Sequence, residues 1–205
     1  MDRGNPAQYS YALSQGTAVD LPAEGHTYRT RTTDLAAHRG SQHDPALLFA
    51  RRSSAVMGWT DSHLHQFEKD AKYWGVPEWD EFDELNLIQE SKTQLAKVLK
   101  AEGDSMVYEY DFGDNWRHEI LLEKILPAEA TLSRPVCLSG ERRCPREDVG
   151  GVSGYDEFLE VIFDPTHEEY EHLVGWAGGH FIDEFDLKAV NQILARMRWP
   201  VRHRR

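Results

Sequence analysis

The stretch that decides the fold is Met106-Val-Tyr-Glu-Tyr-Asp-Phe112, which is followed by Gly113-Asp-Asn115 and then by Trp116 to Leu126. In the first segment, large apolar side chains occupy every second position, and this is the period of a β-strand. Glycine, aspartate and asparagine then form a turn signal. The third segment alternates again, with its apolar face made of Trp116, His118, Ile120 and Leu122. We therefore predict a β-hairpin over about residues 105–126.

Helical patterns lie on both sides of this hairpin. The clearest one begins after the N-cap candidate Asp186 and continues to Met197 with apolar residues at helical spacing. Further helices are predicted at about residues 44–58, 93–100, 154–163 and 166–176. The pattern predicts an α+β fold, in which an antiparallel or mixed sheet with a central hairpin packs against several helices and the C-terminal part is helical.

The two ends of the chain differ from the middle. Residues 1–43 are rich in small and polar residues and show no sustained period, so we predict a mostly irregular segment there. The domain itself is placed at residues 44–198, and residues 199–205 are assigned to a basic tail.

Charge and cysteine content limit the function classes. The net charge is −12, and the chain has only two cysteines and no long apolar run. Residues 57–195 carry a net −18, which repels phosphate backbones and disfavours direct binding of nucleic acid by this part of the chain. The cysteine content and the absence of a secretory signal lead us to expect a cytoplasmic protein with no membrane partner.

Histidines in the stretch from Trp59 to Phe67 suggest one possible site. His63 and His65 lie two residues apart in an alternating pattern, so on a strand both rings leave the same face. With Asp111, Asp114 or His118 from the hairpin, they would form a divalent-metal site. The alternative is that these histidines make hydrogen bonds within a partly buried face of the sheet.

Carboxylates in the hairpin allow a related interpretation. Glu109, Asp111 and Asp114 lie close in sequence and could hold Mg²⁺ or share acid and base roles. The alternative is structural: Asp114 suits a turn, and the other two suit the solvated face of a strand.

The two cysteines allow three interpretations. Cys137 and Cys144 are separated by six residues, with Arg142 and Arg143 between them. Zinc sites use closer pairs, and a redox pair would draw on the neighbouring arginines to lower the thiol pKa. The third interpretation is a pair of small buried thiols that brace a loop.

Arginines near the C-terminus form a short basic run. They are Arg196, Arg198, Arg202, Arg204 and Arg205. Contact with nucleic acid is one hypothesis, and an exposed tail that also complements the dipole of the last helix is the other.

Five separated segments carry a resemblance to a known family. They are Met57-Gly-Trp-Thr-Asp-Ser-His-Leu-His-Gln-Phe67, Tyr108-Glu-Tyr-Asp-Phe-Gly-Asp-Asn-Trp-Arg-His118, Cys137-Leu-Ser-Gly-Glu-Arg-Arg-Cys-Pro145, Glu147-Asp-Val-Gly-Gly-Val-Ser-Gly-Tyr155 and Phe185-Asp-Leu-Lys-Ala-Val-Asn191. In order and spacing they resemble the plasmid pRiA4b ORF-3-like family over about residues 57–197. The resemblance implies an α+β domain of bacterial plasmids and insertion elements, where relatives are described as passenger proteins. It implies no reaction, catalytic residue or cofactor.

Residues 1–56 depart from the family pattern. Members usually begin with a long strand that carries a Trp-Arg-Arg-type segment, and this chain shows no such opening. A shifted frame or start and genuine divergence both remain open. In the first case the sheet would lack a strand, and a neighbouring edge would be exposed or filled by something else.

Two function classes follow from these observations. The first is a non-enzymatic accessory or interaction protein, with an unidentified protein partner, associated with plasmids or mobile elements. The second is a metal-dependent hydrolase or nuclease that uses His63, His65, Asp111 and Asp114. A minor third class is nucleic-acid binding through the basic tail. We expect no cofactor in the first class and a divalent metal in the second.

Overall fold

A computed structural model of the chain describes residues 8–16, 29–37, 46–79, 86–126, 136–140, 144–178 and 185–197. The strands are β1 (Gln8–Gly16), β2 (Arg29–Ala37), β3 (His65–Lys69), β4 (Lys72–Gly75), β5 (Ile88–Gln89), β6 (Ser105–Tyr110), β7 (Trp116–Leu126) and β8 (Val136–Cys137). The helices are α1 (Ala46–Met57), α2 (Leu95–Val98), α3 (Gly151–Ile162), α4 (Tyr170–Ala177) and α5 (Leu187–Arg196), with 3₁₀ turns at Pro77–Trp79 and Glu90–Lys92. The predicted α+β class, with a helical C-terminal part, is confirmed.

The described strands form one mixed sheet in the order β5-β4-β3-β6-β7-β1-β2-β8. Its neighbours are antiparallel except for β4 and β5, which are parallel. The predicted hairpin is confirmed as β6 and β7, with Tyr110 opposite Trp116 and Tyr108 opposite His118. No described helix has the length and apolar character that crossing a membrane requires.

The prediction of a mostly irregular N-terminal segment is wrong for residues 8–16 and 29–37. Strand β1 pairs with β7, and β2 pairs with both β1 and β8. The rest of residues 1–43 lies outside the described residues. Strand β7 has eleven residues and β6 has six, so β7 offers a long edge whose backbone groups β1 satisfies. The extra residue at each register shift lies in a partner strand: Glu123 of β7 opposite Ser10 and Tyr11, and Thr33 of β2 opposite Ala12 and Leu13. The period of β2 is therefore interrupted.

The main core lies on one face of β3, β6 and β7. The side chains of β6 alternate strictly between buried and partly exposed, and Tyr108 and Tyr110 are fully buried. Helices α1 and α5 contact each other and contribute Val56, Val190 and Leu194 to the same core. The alternation read from the sequence therefore corresponds to burial against these helices.

Most predicted helices are present with shifted ends. Asp186 caps α5 as predicted, because its Oδ1 accepts a hydrogen bond from the backbone N–H of Ala189 at 2.8 Å. Gly58 follows α1 with a φ of +84°, which suits a glycine at a helix end. Helices α3 and α4 enclose a second, smaller apolar cluster that contains Phe158, Ile162 and Ala177.

Asn191 fastens the edge of the sheet to α5. Its Oδ1 accepts a hydrogen bond from the N–H of Cys137, and its Nδ2 donates to the carbonyl of Cys137, both at 2.9 Å. The side-chain amide thus pairs with β8 much as a further strand would.

We expect Asn191→Leu to lower the free energy of unfolding by about 1–3 kcal/mol, because two backbone groups of β8 lose their partner. Urea denaturation measures this loss. Gln192→Leu, at the exposed next position of α5, is the matched control and should change stability little. An equal loss in both variants would show that the amide does not hold β8.

Candidate functional site

Three segments that are distant in sequence meet at one end of the sheet: residues 59–64 after α1, residues 110–115 from the end of β6 to the turn before β7, and residues 145–151, which lead into the first residue of α3. We call this region the loop junction. The indole N–H of Trp59 donates to the carbonyl of Pro145 at 2.8 Å, and its ring stacks on Tyr110 with centroids 4.7 Å apart. The N–H of Asp111 donates to the carbonyl of Leu64 at 2.8 Å. All three segments belong to the motifs that carry the family resemblance.

Glu147 holds the loop junction together. Its Oε2 accepts hydrogen bonds from the backbone N–H and the hydroxyl of Thr60, at 3.1 and 2.7 Å. Its Oε1 accepts from the hydroxyl of Tyr110 and, at 3.4 Å, from Ser62. Burial by itself raises the pKa of Glu147, but the hydrogen bonds from Tyr110 and Thr60, with His63 nearby, outweigh it and hold that pKa below its ordinary value. The carboxylate is therefore an ionised acceptor with four donors.

Tyr110 is the donor that complements Glu147. Burial, and then the hydrogen bond to this carboxylate, raise the pKa of Tyr110 to about 12. Its hydroxyl also accepts a hydrogen bond from the N–H of Ser62 at 3.1 Å. The phenol stays protonated at neutral pH, so it links the hairpin to both other segments.

Asp111 and Asp114 shape the turn between β6 and β7. Asp111 has a φ of +58°, and its Oδ1 accepts from the N–H groups of Gly113 and Asp114, at 3.0 and 3.3 Å. The Oδ2 of Asp114 accepts from the N–H of Gly150 at 3.3 Å. A Cβ on Gly151 would lie 2.7 Å from the carbonyl oxygen of Asp114, so only glycine fits against this turn. The structural interpretation of Asp114 as a turn residue agrees with this geometry.

His63 lies between two carboxylates. Its Nδ1 is 3.3 Å from Oδ2 of Asp111, and its Nε2 is 3.4 Å from Oδ1 of Asp148. Among the described residues these three form the one group of His, Cys, Asp or Glu side chains whose ligand atoms all lie within 4.8 Å of one another. Two ligands on one tetrahedral zinc ion, each bound at about 2.1 Å, lie roughly 3.3 Å apart. The two short separations involve different nitrogens of His63, and one imidazole binds a given cation through only one of them, so they are hydrogen-bond or ion-pair contacts. A shared cation would use one nitrogen with one oxygen from each carboxylate, and such a set of atoms lies within 4.8 Å.

His65 belongs to a different environment. Strand β3 begins at His65, so His63 precedes the strand, and the prediction that both histidines share one strand face is wrong. The Nε2 of His65 lies 3.1 and 3.3 Å from the two carboxylate oxygens of Glu90, and both side chains are buried. The structure brings His63 to Asp111 and adds Asp148, while it places His65 and Asp114 elsewhere.

His118 is a core residue. Its ring lies edge-on to Trp59, with centroids 5.4 Å apart, and it is 1% exposed. Neither ring nitrogen makes a well-formed hydrogen bond within the part of the chain that the structure describes. Burial lowers the pKa of His118 to about 4, although the backbone of Tyr108 and Trp116 partly opposes this shift. The imidazole is therefore neutral and lies outside the group at His63.

The other sequence candidates lie apart from the loop-junction carboxylates. Cys137 and Cys144 are both buried and no disulfide joins them, and the Sγ of Cys137 donates to the carbonyl of Ser139 at 3.3 Å. The two arginines between these cysteines fall outside the described residues. Arg196 is the exposed last residue of α5, and the remaining tail residues, Arg198, Arg202, Arg204 and Arg205, also lie outside the described residues.

A second surface was not identified from the sequence. From Glu147 to Gly178 the chain contains nine carboxylates and no lysine or arginine. We define the acidic face as the exposed part of α3, α4 and their connection, which carries Glu157, Glu160, Phe163, Asp164, Glu168, Glu169, Glu171 and Trp176. Phe163 is 77% exposed and Trp176 is 36% exposed. The long run without a basic residue was the signal in the sequence.

Sequence reasoning also missed roles within the loop junction. In the sequence, Glu147 and Asp148 stand out only as part of a family motif, and Tyr110 only as a residue of the predicted strand and of another motif. The resemblance had already placed all three in family motifs, and this was the available signal. What the sequence does not contain is the contact between segments about 37 residues apart, such as Tyr110 and Glu147.

We expect His118 to make stability depend on pH. Its pKa is about 4 in the folded state and about 6.5 when unfolded, so its stabilising contribution is complete above pH 6.5 and is lost as pH falls towards 4. Between pH 7.5 and pH 5 the loss is about 2 kcal/mol. Urea denaturation at both pH values measures the free energy of unfolding. Between pH 7.5 and pH 5 this free energy should fall by about 2 kcal/mol less in His118→Leu than in the wild type. His172→Gln, at an exposed position, should retain the wild-type difference; the same difference in all three proteins would contradict the assignment.

Comparison with known proteins identifies the relatives of this fold and its motifs. The model of the family described as plasmid pRiA4b ORF-3-like protein matches residues 50–192. The uncharacterised protein y4hQ of Sinorhizobium fredii (strain NBRC 101917 / NGR234) is 37% identical over 137 residues, which are 67% of this chain and 68% of that protein. The crystal structure of the protein of unknown function MM3350 from Methanosarcina mazei Go1 has 34% identity and a TM-score of 0.69, and the match covers 89% of this chain and 96% of that chain.

The extent of the structural match bears on the N-terminal segment. Residues 1–56 make up more than a quarter of the chain, so a match over 89% of it must include part of them. The shared fold therefore reaches beyond the five sequence motifs, in agreement with the pairing of β1 to β7. On the family match and on these relatives, the chain belongs to the plasmid pRiA4b ORF-3-like protein family.

Proposed function

We propose that this chain is a non-enzymatic accessory protein that acts by binding another protein, in association with plasmids or other mobile elements. The observation that carries the proposal is the acidic face, on which Phe163, Trp176 and six carboxylates are exposed. Aromatic side chains with a polar surround are typical of the residues that dominate binding energy at protein interfaces. The description of the family supports the association with plasmids.

The chemistry of the loop junction supports the same proposal. Glu147 has four donors on its two oxygens, and Asp111 and Asp114 accept from backbone N–H groups. Carboxylate oxygens that accept several hydrogen bonds in this way stabilise loops. Among the described residues, the hydrogen-bonded oxygens of Glu147, Asp111 and Asp114 thus have a structural role.

The acidic face is separate from the core that builds the sheet. Phe158, Ile162 and Ala177 form their own cluster between α3 and α4, and Val149 and Tyr155 join it to the main core. A surface on such a unit can bind a partner without disturbing the sheet. This arrangement suits a binding role.

The proposal predicts a partner whose retention depends on Phe163. Immobilised wild-type protein should retain a partner protein, and the two should form a complex that can be purified. Phe163→Ser should lower the affinity of this complex about tenfold or more, because one exposed aromatic anchor is lost. Isothermal titration calorimetry on the purified complex measures the change. Leu138→Ser is the matched control, since Leu138 is 52% exposed on another part of the surface. Equal affinity in both variants would overturn the role of the acidic face.

A second candidate function, a metal-dependent hydrolase or nuclease, is favoured by the group at His63. The Oδ1 of Asp111 is used by the turn, which leaves Oδ2 facing His63. Asp148 is 73% exposed, so an ion held there would keep positions open for water. Such a site would use His63, Asp111 and Asp148 in place of the set that includes His65 and Asp114.

Metal titration tests this second function. If it is correct, Zn²⁺ or Mn²⁺ at 100 times its Kd should stabilise the folded chain by about 2.7 kcal/mol and raise the Tm by about 5–10 °C. Asp148→Asn should lose the rise, and Glu123→Gln, at an exposed position of β7, should keep it. Differential scanning calorimetry measures the Tm. An unchanged Tm, with less than about a tenth of a metal ion per chain by elemental analysis, would exclude the metal-dependent function.

A further inference from the structure

We propose that the acidic face binds an arginine-rich segment of a partner protein, whose guanidinium groups stack on Trp176 and Phe163 while the surrounding carboxylates balance their charge. This inference rests on the proposed binding function and names the chemistry of the partner. It depends on three observations: the charge of the face, a guanidinium already stacked on one of its rings, and the exposure of the other ring.

The charge of the acidic face calls for a cationic partner. All seven carboxylates between Asp156 and Glu171 belong to a stretch that has no lysine or arginine. Six of them are exposed, at Glu157, Glu160, Asp164, Glu168, Glu169 and Glu171. Like charges this close repel one another, so a cationic partner gains both attraction and relief of that repulsion.

Arg146 shows which cation fits one of the rings. Its guanidinium carbon lies 4.9 Å from the ring centroid of Trp176, and the side chain of Arg146 is exposed. The ring of Phe158 also contacts this indole, edge-on and with centroids 5.8 Å apart. A planar guanidinium stacks on an aromatic face and binds a carboxylate with two parallel hydrogen bonds, which an ammonium group does not do. The exposed indole therefore favours arginine over lysine.

Phe163 is the second exposed ring of the acidic face, and carboxylates lie close to it along the chain. It continues the helical geometry at the end of α3, with φ −86° and ψ −4°, so Glu160 lies three residues earlier on the same side. Asp164 follows it directly, and the hydroxyl and N–H of Thr166, which donate to this carboxylate at 2.6 and 2.9 Å, lower the pKa of Asp164. An ionised carboxylate beside a 77% exposed ring can hold a second guanidinium.

The displacement of Arg146 from Trp176 by a partner arginine can be tested, and simple charge attraction does not predict the same result. A partner arginine must take the place of Arg146 on the indole, so Arg146 competes with the partner. Removal of this competitor should strengthen binding, although it also makes the chain more negative by one charge. Lys97→Ala, at an exposed position of α2, changes the charge equally and serves as the control.

The probes are two fluorescein-labelled peptides, (Arg-Gly)6 and (Lys-Gly)6, and fluorescence anisotropy with the full chain measures their binding. We expect the arginine peptide to bind at least about fivefold more tightly than the lysine peptide, and Trp176→Leu and Phe163→Ser each to weaken it about fivefold. Arg146→Ala should tighten binding about two- to fivefold, beyond any effect of Lys97→Ala. Leu138→Ser should leave binding unchanged.

Several results would overturn the inference. Equal binding of the two peptides, or binding that both aromatic substitutions leave unchanged, would show that net charge alone attracts the probe. If the arginine peptide binds more tightly to a chain truncated after Met197 than to the full chain, the arginines of the chain's own tail occupy the acidic face. Phe163 is exposed, so Phe163→Ser should keep the wild-type Tm. A double variant, Glu160→Gln with Glu168→Gln, tests the carboxylates of the acidic face without altering an aromatic ring. If a captured partner depends on Phe163 but neither peptide binds, the binding function stands and the arginine chemistry fails.

Discussion

The carboxylate of Glu147 is the contact on which the rest of the loop junction depends. Thr60 follows α1, Tyr110 ends β6 and Glu147 precedes α3, and the hydrogen bonds among them fix these three parts of the chain relative to one another. Burial opposes the ionisation of Glu147, and its donors outweigh this effect. A partly buried charge with several good donors is stable in one arrangement, because any other leaves it without compensation. The hydrogen bonds of Glu147 thereby also position His63 and Asp148, which lie in the same segments of the loop junction.

The sheet that carries the loop junction imposes a second constraint. Tyr108, Ile120 and Leu122 are fully buried, and His118 is enclosed with them as a neutral ring. The core around His118 thus favours the uncharged form of this ring. On the far side of β7 the strand β1 completes the pairing, so the hairpin is an internal part of the sheet and not an edge. The two constraints act together, since the loop junction is built on the ends of these strands.

The sequence alone was sufficient where the signal was local. The alternation of Met106 to Tyr110 predicted β6 because each side chain is set by the residue next to it, and Asp186 predicted a helix start because its partner is three residues away. Strand β2 was missed because an extra residue at Thr33 interrupts its period, and strand β1 was missed because its place in the sheet depends on the edge of β7.

The candidate site shows the same division. Residue type and spacing identified His63 and Asp111 as possible ligands, but could not tell that His65 turns to Glu90 or that Asp148 reaches His63. The acidic composition of α3 and α4 was present in the sequence, while the exposure of Phe163 and the stacking of Arg146 on Trp176 required coordinates.

The sequence by itself thus determined the hairpin, the helical C-terminal part, the charge of each segment and the family. The tertiary structure decided which polar groups meet, because hydrogen bonds and ion pairs act over a few ångströms between residues that the chain separates by dozens of positions.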